Sequence, residues 1–148
     1  MSFPIIHHWD ADDYDAPFDT WVACNQAYEI ANLSSIRISS KKELKLVALN
    51  QHYDVIGAIW VDIYKSDEMN EYTVYDFDVA VHPQYRNNNM VGIKLINNAI
   101  RDYESLDDEN KMIRVFVVNP RLVSVLEKKY GFQCDGFDRY GTVMYHYQ

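Results

Sequence analysis

The chain has 148 residues, of which 48% are hydrophobic and 24% charged, a composition typical of one globular domain over 1–148. Its net charge of −8 argues against a basic face that binds nucleic acid. No apolar run reaches about 18 residues, so no membrane span is predicted. Because the first residues lack a basic start and an apolar run, no signal peptide is predicted and we expect a cytoplasmic protein.

Cysteine and histidine usage predicts no metal site. Cys24 and Cys134 lie far apart and match no metal-ligand spacing, so both are predicted to be reduced core thiols. His7 and His8 are adjacent, but the pattern supplies no third ligand. The acidic balance suits a cationic partner such as a free amine, although solubility alone explains it equally well.

The first half of the chain predicts one helix and three strands. Residues 1–15 join a short apolar start to an acidic run and are predicted to form a solvated loop or a lead into a helix. A helix over 17–33 is predicted from the helical spacing of Trp21, Cys24, Tyr28 and Ala31. Antiparallel strands, joined by polar turns, are then predicted over 44–49, 55–64 and 72–81.

The second half alternates helices and strands. A helix over 90–103, a strand over 112–118, a helix from Asn119-Pro120 to Gly131 and two final strands are predicted. The strand–helix–strand unit should be parallel and right-handed. The sequence therefore predicts an α/β (α+β) fold: a central mixed sheet with an antiparallel N-terminal meander, parallel middle strands and helices on both faces.

The segment from Val79 to Gly92 carries the most functional information. It reads as a buried strand, then a polar turn, then the first turn of an amphipathic helix. Such a turn presents several backbone N–H groups together and predicts an anion site. Its three consecutive Asn residues suit left-handed backbone, which Asn tolerates best after Gly. An ordinary helix entry with Asn88 or Asn89 as N-cap remains the alternative.

This segment resembles the GNAT-type N-acetyltransferases, in which a strand ending in L-x-V-x-P is followed by R-x-x-G-x-G/A. The first part of that pattern is matched without gaps by Val79, Val81, Pro83 and Arg86. The second part departs from it, because Asn89 stands where the first Gly is usual and Val91 where the second is. One extra residue in the turn would make Gly92 the second Gly.

A second segment extends the resemblance. Residues 119–132 resemble the family's later segment, in which an Asn opens a helix that closes in K-x-G-F. The two segments lie about 30 residues apart with a strand between them, as in the family. The resemblance covers roughly Lys45 to the C-terminus and implies the acyl-CoA N-acyltransferase fold.

The resemblance implies acetyl-CoA as co-substrate, with no metal. Main-chain groups of Val79, Ala80 and Val81 would hydrogen-bond the pantetheine arm and polarise the thioester carbonyl. Arg86 would add charge at the pyrophosphate, and Asn119 would touch the cofactor arm while also acting as N-cap. The pyrophosphate itself would be held by the N–H groups of Asn87, Asn88, Asn89, Met90, Val91 and Gly92.

The resemblance also implies a base near the end of the third long strand. Asp78 falls where some small-amine acetyltransferases carry an acid, and Asp76 lies on the same strand. Tyr75 is a third candidate, since it and Phe77 occupy positions where other members place Glu or His. The non-catalytic alternative is that Asp76 and Asp78 pair with Lys or Arg on a solvated face. Glu127 stands where the family often has a Tyr that protonates the leaving thiolate.

These observations predict transfer of acetyl from acetyl-CoA to a primary amine by direct attack of the amine on the thioester. The amine belongs either to a small molecule or to a peptide or protein. The alternative is a catalytically weak or inactive member of the same fold that still binds coenzyme A and acts as an acidic interaction module. An unrelated α+β binding domain requires both segment matches to be chance. No nucleic-acid or membrane partner is predicted, and a monomer or a homodimer is expected.

Overall fold

The computed structural model describes residues 3–9, 20–66, 71–86, 90–138 and 141–147. Within these ranges, seven strands form one sheet in the order β1-β2-β3-β4-β5-β7-β6. The elements are β1 (Ile5–His8), α1 (Thr20–Leu33), β2 (Glu43–Leu49), β3 (Val55–Lys65), β4 (Thr73–Val81), α2 (Val91–Glu104), β5 (Lys111–Val117), α3 (Pro120–Tyr130), β6 (Gln133–Asp138) and β7 (Gly141–Tyr147).

The predicted mixed sheet is confirmed. Strands β1 to β4 pair antiparallel, β4 and β5 pair parallel, and β5 pairs antiparallel with β7. The strand missed by sequence reasoning is β1, which pairs with β2 from Ile5↔Leu49 to His8↔Leu46. Four residues are too few to give a periodic sequence signal. This strand forms because it pairs with the edge of β2 and not because of its local sequence.

Helices cover both faces of the sheet, as predicted. Helix α1 packs with β2, β3 and β4 in one core cluster, whereas α2 and α3 pack in the other cluster on the opposite face. The predicted inward stripe of α1 was wrong at Tyr28, which is exposed. Among the α1 side chains that the structure describes, which do not include the predicted stripe residue Trp21, the buried ones are Ala23, Ala27, Ile30 and Ala31. The small alanine side chains face the sheet, and the larger Tyr28 ring lies at the edge of this contact.

The residues predicted to cap α3 are confirmed, and a buried lysine that was not predicted binds the end of α2. Asn119 caps α3 by accepting a hydrogen bond from the Arg121 N–H, and Gly131 follows that helix with φ 71°. Lys111 is buried and its ammonium donates to three carbonyls at the end of α2: those of Tyr103, Glu104 and Leu106. A cation there also complements the negative end of the helix dipole.

The two cysteines are free thiols. Cys24 is half-buried against the α1 core, but Cys134 is exposed on β6, so the prediction that both lie in the core was wrong for Cys134.

Within the described ranges, no helix combines the length and the apolar character needed to cross a bilayer.

Candidate active site

Strand β4 divides its side chains between the two faces of the sheet. Asp76 and Asp78 are two residues apart and share the face covered by α1, whereas Tyr75 and Phe77 lie in the core beneath α2. The register of β4 with β3 is unbroken from Gly57↔Val81 to Lys65↔Thr73, so no bulge reverses this alternation. The two carboxylates therefore open on the same space.

That space is a cavity of about 600 Å³, which we call the carboxylate pocket. Strands β4 and β5 form its floor, and the connection between α1 and β2 forms one wall. Strand β7 contributes one lining residue, Val143. Its lining residues are Arg37, Ile38, Ser39, Ser40, Lys42, Asp76, Asp78, Arg114, Val115, Phe116 and Val143.

One lysine joins both carboxylates. The Lys42 ammonium donates to Asp78 Oδ1 at 2.9 Å and to Asp76 Oδ1 at 3.1 Å, and all three side chains are largely buried. Arg114 Nη1 lies 3.7 Å from Asp76 Oδ2. Burial raises the pKa of Asp78 above its ordinary value despite the opposing effect of Lys42. The Lys and Arg pairing left open by the sequence is thus present, but on a pocket floor rather than on a solvated face.

Sequence reasoning missed the cations of this pocket. Lys42 and Arg37 belong to an irregular connection with no motif, and their approach to β4 depends on how that connection folds back. Arg114 had a usable signal: it is a charged residue that interrupts an otherwise apolar strand and shares the face of Phe116.

Strands β4 and β5 part at Asp78. Their pairing runs from Thr73↔Lys111 to Asp78↔Phe116, whereas β4 continues to Val81. The His82 N–H bonds to Ile56 on β3, so by alternation the backbone groups of Val79 and Val81 face away from β3 and into the opening. Ser34 Oγ donates to the Val81 carbonyl there at 3.1 Å.

The opening, which we call the strand gap, is lined on the described part of the chain by Ser34, Ile36, Val79, Val81, Arg86, Val118, Asn119 and Leu122. The backbone groups of Ala80, unlike those of Val79 and Val81, do not face the strand gap. It pairs with Ala58, and the same alternation turns its backbone groups toward β3. The predicted contact of the Ala80 main chain with a cofactor arm is therefore not supported by the geometry.

A groove of about 310 Å³ continues from the strand gap and runs between the start of α2 and α3. We call it the helix groove. Arg86 and Asn119 line both spaces, and Arg121 adds a second guanidinium to the groove. The Asn119 side-chain oxygen is used as the α3 cap, which leaves its NH₂ group as a donor. The other lining residues are Met90, Gly92, Ile93, Leu122, Ser124 and Val125.

Helix α2 begins beside this groove. Met90 is the N-cap residue in left-handed conformation (φ 54°, ψ 36°), and its side chain makes no capping hydrogen bond. The first intrahelical bond runs from the Lys94 N–H to the Met90 carbonyl, so the N–H groups of Val91, Gly92 and Ile93 have no intrahelical acceptor. The first turn carries no acidic side chain. Asn87, Asn88 and Asn89, predicted to contribute to the same site, lie outside the described residues.

Gly92 allows α2 and α3 to pack closely. A Cβ at this position would lie 2.9 Å from both Cδ atoms of Leu122, so a larger residue would require the Leu122 side chain to shift. The Val91 side chain is buried in the core and does not line the groove.

Tyr75 lies away from these three spaces. Its side chain is 1% exposed, and its ring packs against Phe77 and Tyr103 beneath α2. Burial raises its pKa far above the ordinary value, which opposes proton transfer at neutral pH. The predicted catalytic role of Tyr75 is not supported, because strand alternation places it on the opposite face from Asp76 and Asp78.

Glu127 stands where the family often has a Tyr that protonates the leaving thiolate, and no tyrosine of the described residues lines the carboxylate pocket in its place. Tyr145 donates to Gln133 Oε1 at 3.2 Å. Tyr130 is half-buried against the α2 core, and Glu127 is exposed on α3. Tyr140 lies outside the described residues.

Histidines, cysteines and carboxylates do not gather into a metal-binding group of three or more in the described parts of the chain. His8 Nε2 instead lies 3.2 Å from Asp102 Oδ1.

Comparison with known proteins shows the fold. NAA60 of Arabidopsis thaliana in complex with a bisubstrate analogue superposes with a TM-score of 0.62 at 14% identity, over 97% of this chain and 99% of that chain. A GNAT-family acetyltransferase from Streptococcus pneumoniae gives 0.61 at 14% identity, over 97% and 99%. Phosphinothricin acetyltransferase from Sinorhizobium meliloti in complex with acetyl-CoA gives 0.57 at 14% identity, over 98% and 88%.

No family model matches the sequence, and no curated protein matches it. At these identities the structural likenesses establish the architecture alone. They confirm the expected acyl-CoA N-acyltransferase fold over nearly the whole chain.

Proposed function

We propose that this chain, which has the GNAT acyltransferase fold, transfers an acetyl group from acetyl-CoA to a primary amine by direct attack. One observation carries the proposal: Asp78 is both the last residue of β4 paired with β5 and a wall of the carboxylate pocket. A largely buried carboxylate thus lines a cavity large enough for an amine, directly beside Val79, which lines the strand gap.

The helix groove is the proposed site of the coenzyme pyrophosphate. The N–H groups of Val91, Gly92 and Ile93 and the two arginines, Arg86 and Arg121, offer positive charge on one anion-sized concavity. Micromolar affinity needs about 8 kcal/mol, whereas one charge-assisted hydrogen bond contributes about 1.5–3 kcal/mol. Several donors must act together, and Asn87 to Asn89 and Met90 remain proposed contributors.

The strand gap is the proposed path of the pantetheine arm. Backbone groups of Val79 and Val81 face this gap, and the Asn119 NH₂ group borders it. An N–H aimed at the thioester carbonyl would stabilise the negative charge that develops on its oxygen. Val79 follows Asp78 directly, so the polarised carbonyl and the proposed base would be neighbours.

Asp78 is the proposed base. It takes one proton from the acceptor ammonium, and the neutral nitrogen attacks the carbonyl carbon, so that the N–C bond forms and the C–S bond breaks. The second proton on that nitrogen goes to the departing sulfur, so coenzyme A leaves as a thiol and no separate acid is needed. The raised pKa of Asp78 brings it closer to neutral pH, where a base is most effective. Asp76 keeps Lys42 in place.

The proposal is tested by two measurements on the whole protein. Calorimetric titration with acetyl-CoA measures cofactor binding, and release of free thiol across a panel of amines measures transfer. Asp78→Asn should bind acetyl-CoA as the wild type does and release thiol about 100-fold or more slowly. Asp107→Asn, an exposed carboxylate outside the pocket, is the matched control. Absence of acetyl-CoA binding at millimolar concentration would refute the proposal.

The inactive interaction module remains the second candidate, and one observation favours it. Lys42 already forms an ion pair with both carboxylates, so an acceptor ammonium must compete with it for Asp78. Acetyl-CoA binding without thiol release from any amine would support this alternative.

A further inference from the structure

The charge of the carboxylate pocket is opposite in sign to that of the chain. The protein carries a net charge of −8, but three cationic side chains and two carboxylates line this cavity. One positive charge is therefore in excess where a substrate would bind. At physiological salt the screening length is about 8 Å, so the pocket's own charges act on a ligand more strongly than distant carboxylates do.

The three cations are not equally engaged. Lys42 contacts both carboxylates, and Arg114 lies beside Asp76. Arg37 is exposed at the pocket wall and forms no ion pair with any carboxylate in the described ranges. The excess charge is thus located on Arg37, whose planar guanidinium is the side chain best suited to bind a carboxylate with two hydrogen bonds.

The carboxylate pocket is also lined by apolar side chains. Ile38, Phe116 and Val143 line the same cavity, whose volume of about 600 Å³ falls in the range of small-molecule sites. A ligand that fits all three features has an amine for Asp78, an anionic group for Arg37 and an apolar body.

We propose that the acceptor is a small amine that also carries a carboxylate, as a free amino acid with an apolar side chain does. This inference rests on the proposed acetyl transfer and names its substrate class. The acceptor ammonium replaces Lys42 at Asp78 while Lys42 stays with Asp76, and the acceptor carboxylate binds Arg37. The transfer step is the one given above, with the proton to Asp78 and the second proton to the leaving sulfur.

Matched substrates test the carboxylate directly. Leucine and phenylalanine are compared with leucinamide and phenylalaninamide by thiol release, since each pair differs only at the carboxyl group. We expect kcat/KM to be about tenfold higher for the acids. The amides have the lower amine pKa, so ease of deprotonation acts against this result. Preference for the amides, or for peptides over both, would overturn the proposal.

A substitution locates the effect. Arg37→Gln should lower kcat/KM for the acids about tenfold, chiefly through KM, and leave the amides unchanged. Lys41→Gln removes an exposed cation that does not line the pocket and should change neither. An equal loss for acids and amides in Arg37→Gln would show that Arg37 does not bind a carboxylate.

Failure of acetyl transfer is distinguished by binding. If no amine releases thiol, calorimetric titration of the same acids and amides still reports on the pocket. Tighter binding of the acids, lost in Arg37→Gln, would support the substrate class without the reaction. Equal binding of acids and amides, or binding of neither, would overturn it.

Discussion

The Lys42 ammonium lies between two carboxylates, 2.9 Å from Asp78 Oδ1 and 3.1 Å from Asp76 Oδ1. One buried cation therefore serves two buried anions, and a charge of −1 remains within this triad. Arg114, beside Asp76, offsets that charge from the more exposed side of the pocket. Burial raises the pKa of Asp78, whereas the Lys42 ammonium lowers it. The effect of burial is the larger, so the pKa lies above its ordinary value.

Replacing Lys42 with Met should destabilise the protein. Breaking a buried ion pair by removing one partner leaves an uncompensated charge, so we expect the free energy of unfolding at pH 7 to fall by about 3 kcal/mol. Denaturant unfolding at pH 7 measures the change. Lys41→Met, at the exposed neighbour, should change it by less than about 0.5 kcal/mol. Similar losses in the two variants would contradict the buried triad.

Asp78 should make stability depend on pH. Its pKa is raised in the folded protein above the ordinary 3.8 that applies to the unfolded chain. As pH rises, the unfolded chain releases this proton first, so the contribution of Asp78 is full below the unfolded pKa and is lost as pH rises through the folded pKa. Asp78→Asn cannot ionise, and its stability relative to the wild type should increase across that window.

Unfolding of wild type and Asp78→Asn at steps from about pH 3 to about pH 8 measures this difference. Asp107→Asn, which removes an exposed carboxylate, is the matched control. A difference between wild type and Asp78→Asn that is constant with pH would show that the folded pKa of Asp78 is not raised.

Two buried tyrosines should respond oppositely to loss of their hydroxyl groups. The Tyr75 hydroxyl has no hydrogen-bond partner among the described residues, whereas the Tyr103 hydroxyl donates to the Lys111 carbonyl at 3.0 Å. Tyr75→Phe should be neutral or stabilising by up to about 1 kcal/mol, and Tyr103→Phe should cost about 1 kcal/mol. Denaturant unfolding compares them. A tenfold fall in kcat for Tyr75→Phe would restore Tyr75 as a catalytic candidate.

Gly92 and Leu122 should be energetically coupled. Because a Cβ at Gly92 would lie 2.9 Å from Leu122, Gly92→Ala should lower the free energy of unfolding by about 1–3 kcal/mol. In a Leu122→Ala background the same change should cost less than about 0.5 kcal/mol, since the clashing atoms are gone. Unfolding of the four proteins in this cycle measures the coupling. Equal costs in both backgrounds would show that the contact is not tight.

Elements with strong local signals could be predicted from the sequence. Helix α3 has Asn119 as its cap, Pro120 at its first position and Gly131 after its end, and each acts on its own few residues. Strand β1 could not be predicted in the same way, because four residues acquire their order from pairing with β2. Tyr28 was misplaced because helical spacing identifies a stripe but not which part of it fits against the sheet.

The strand pattern alone predicts that Asp76 and Asp78 share a face, because side chains of a strand alternate, and that a polar segment precedes an amphipathic helix at Val91. The contacts of Lys42 with the two carboxylates, and the position of Arg37 at the same cavity, arise from tertiary packing. Lys42 and Asp78 are 36 positions apart, and no periodicity spans that separation. Their contact exists because the connection after α1 folds over β4, and such a long-range contact depends on packing of the whole sheet.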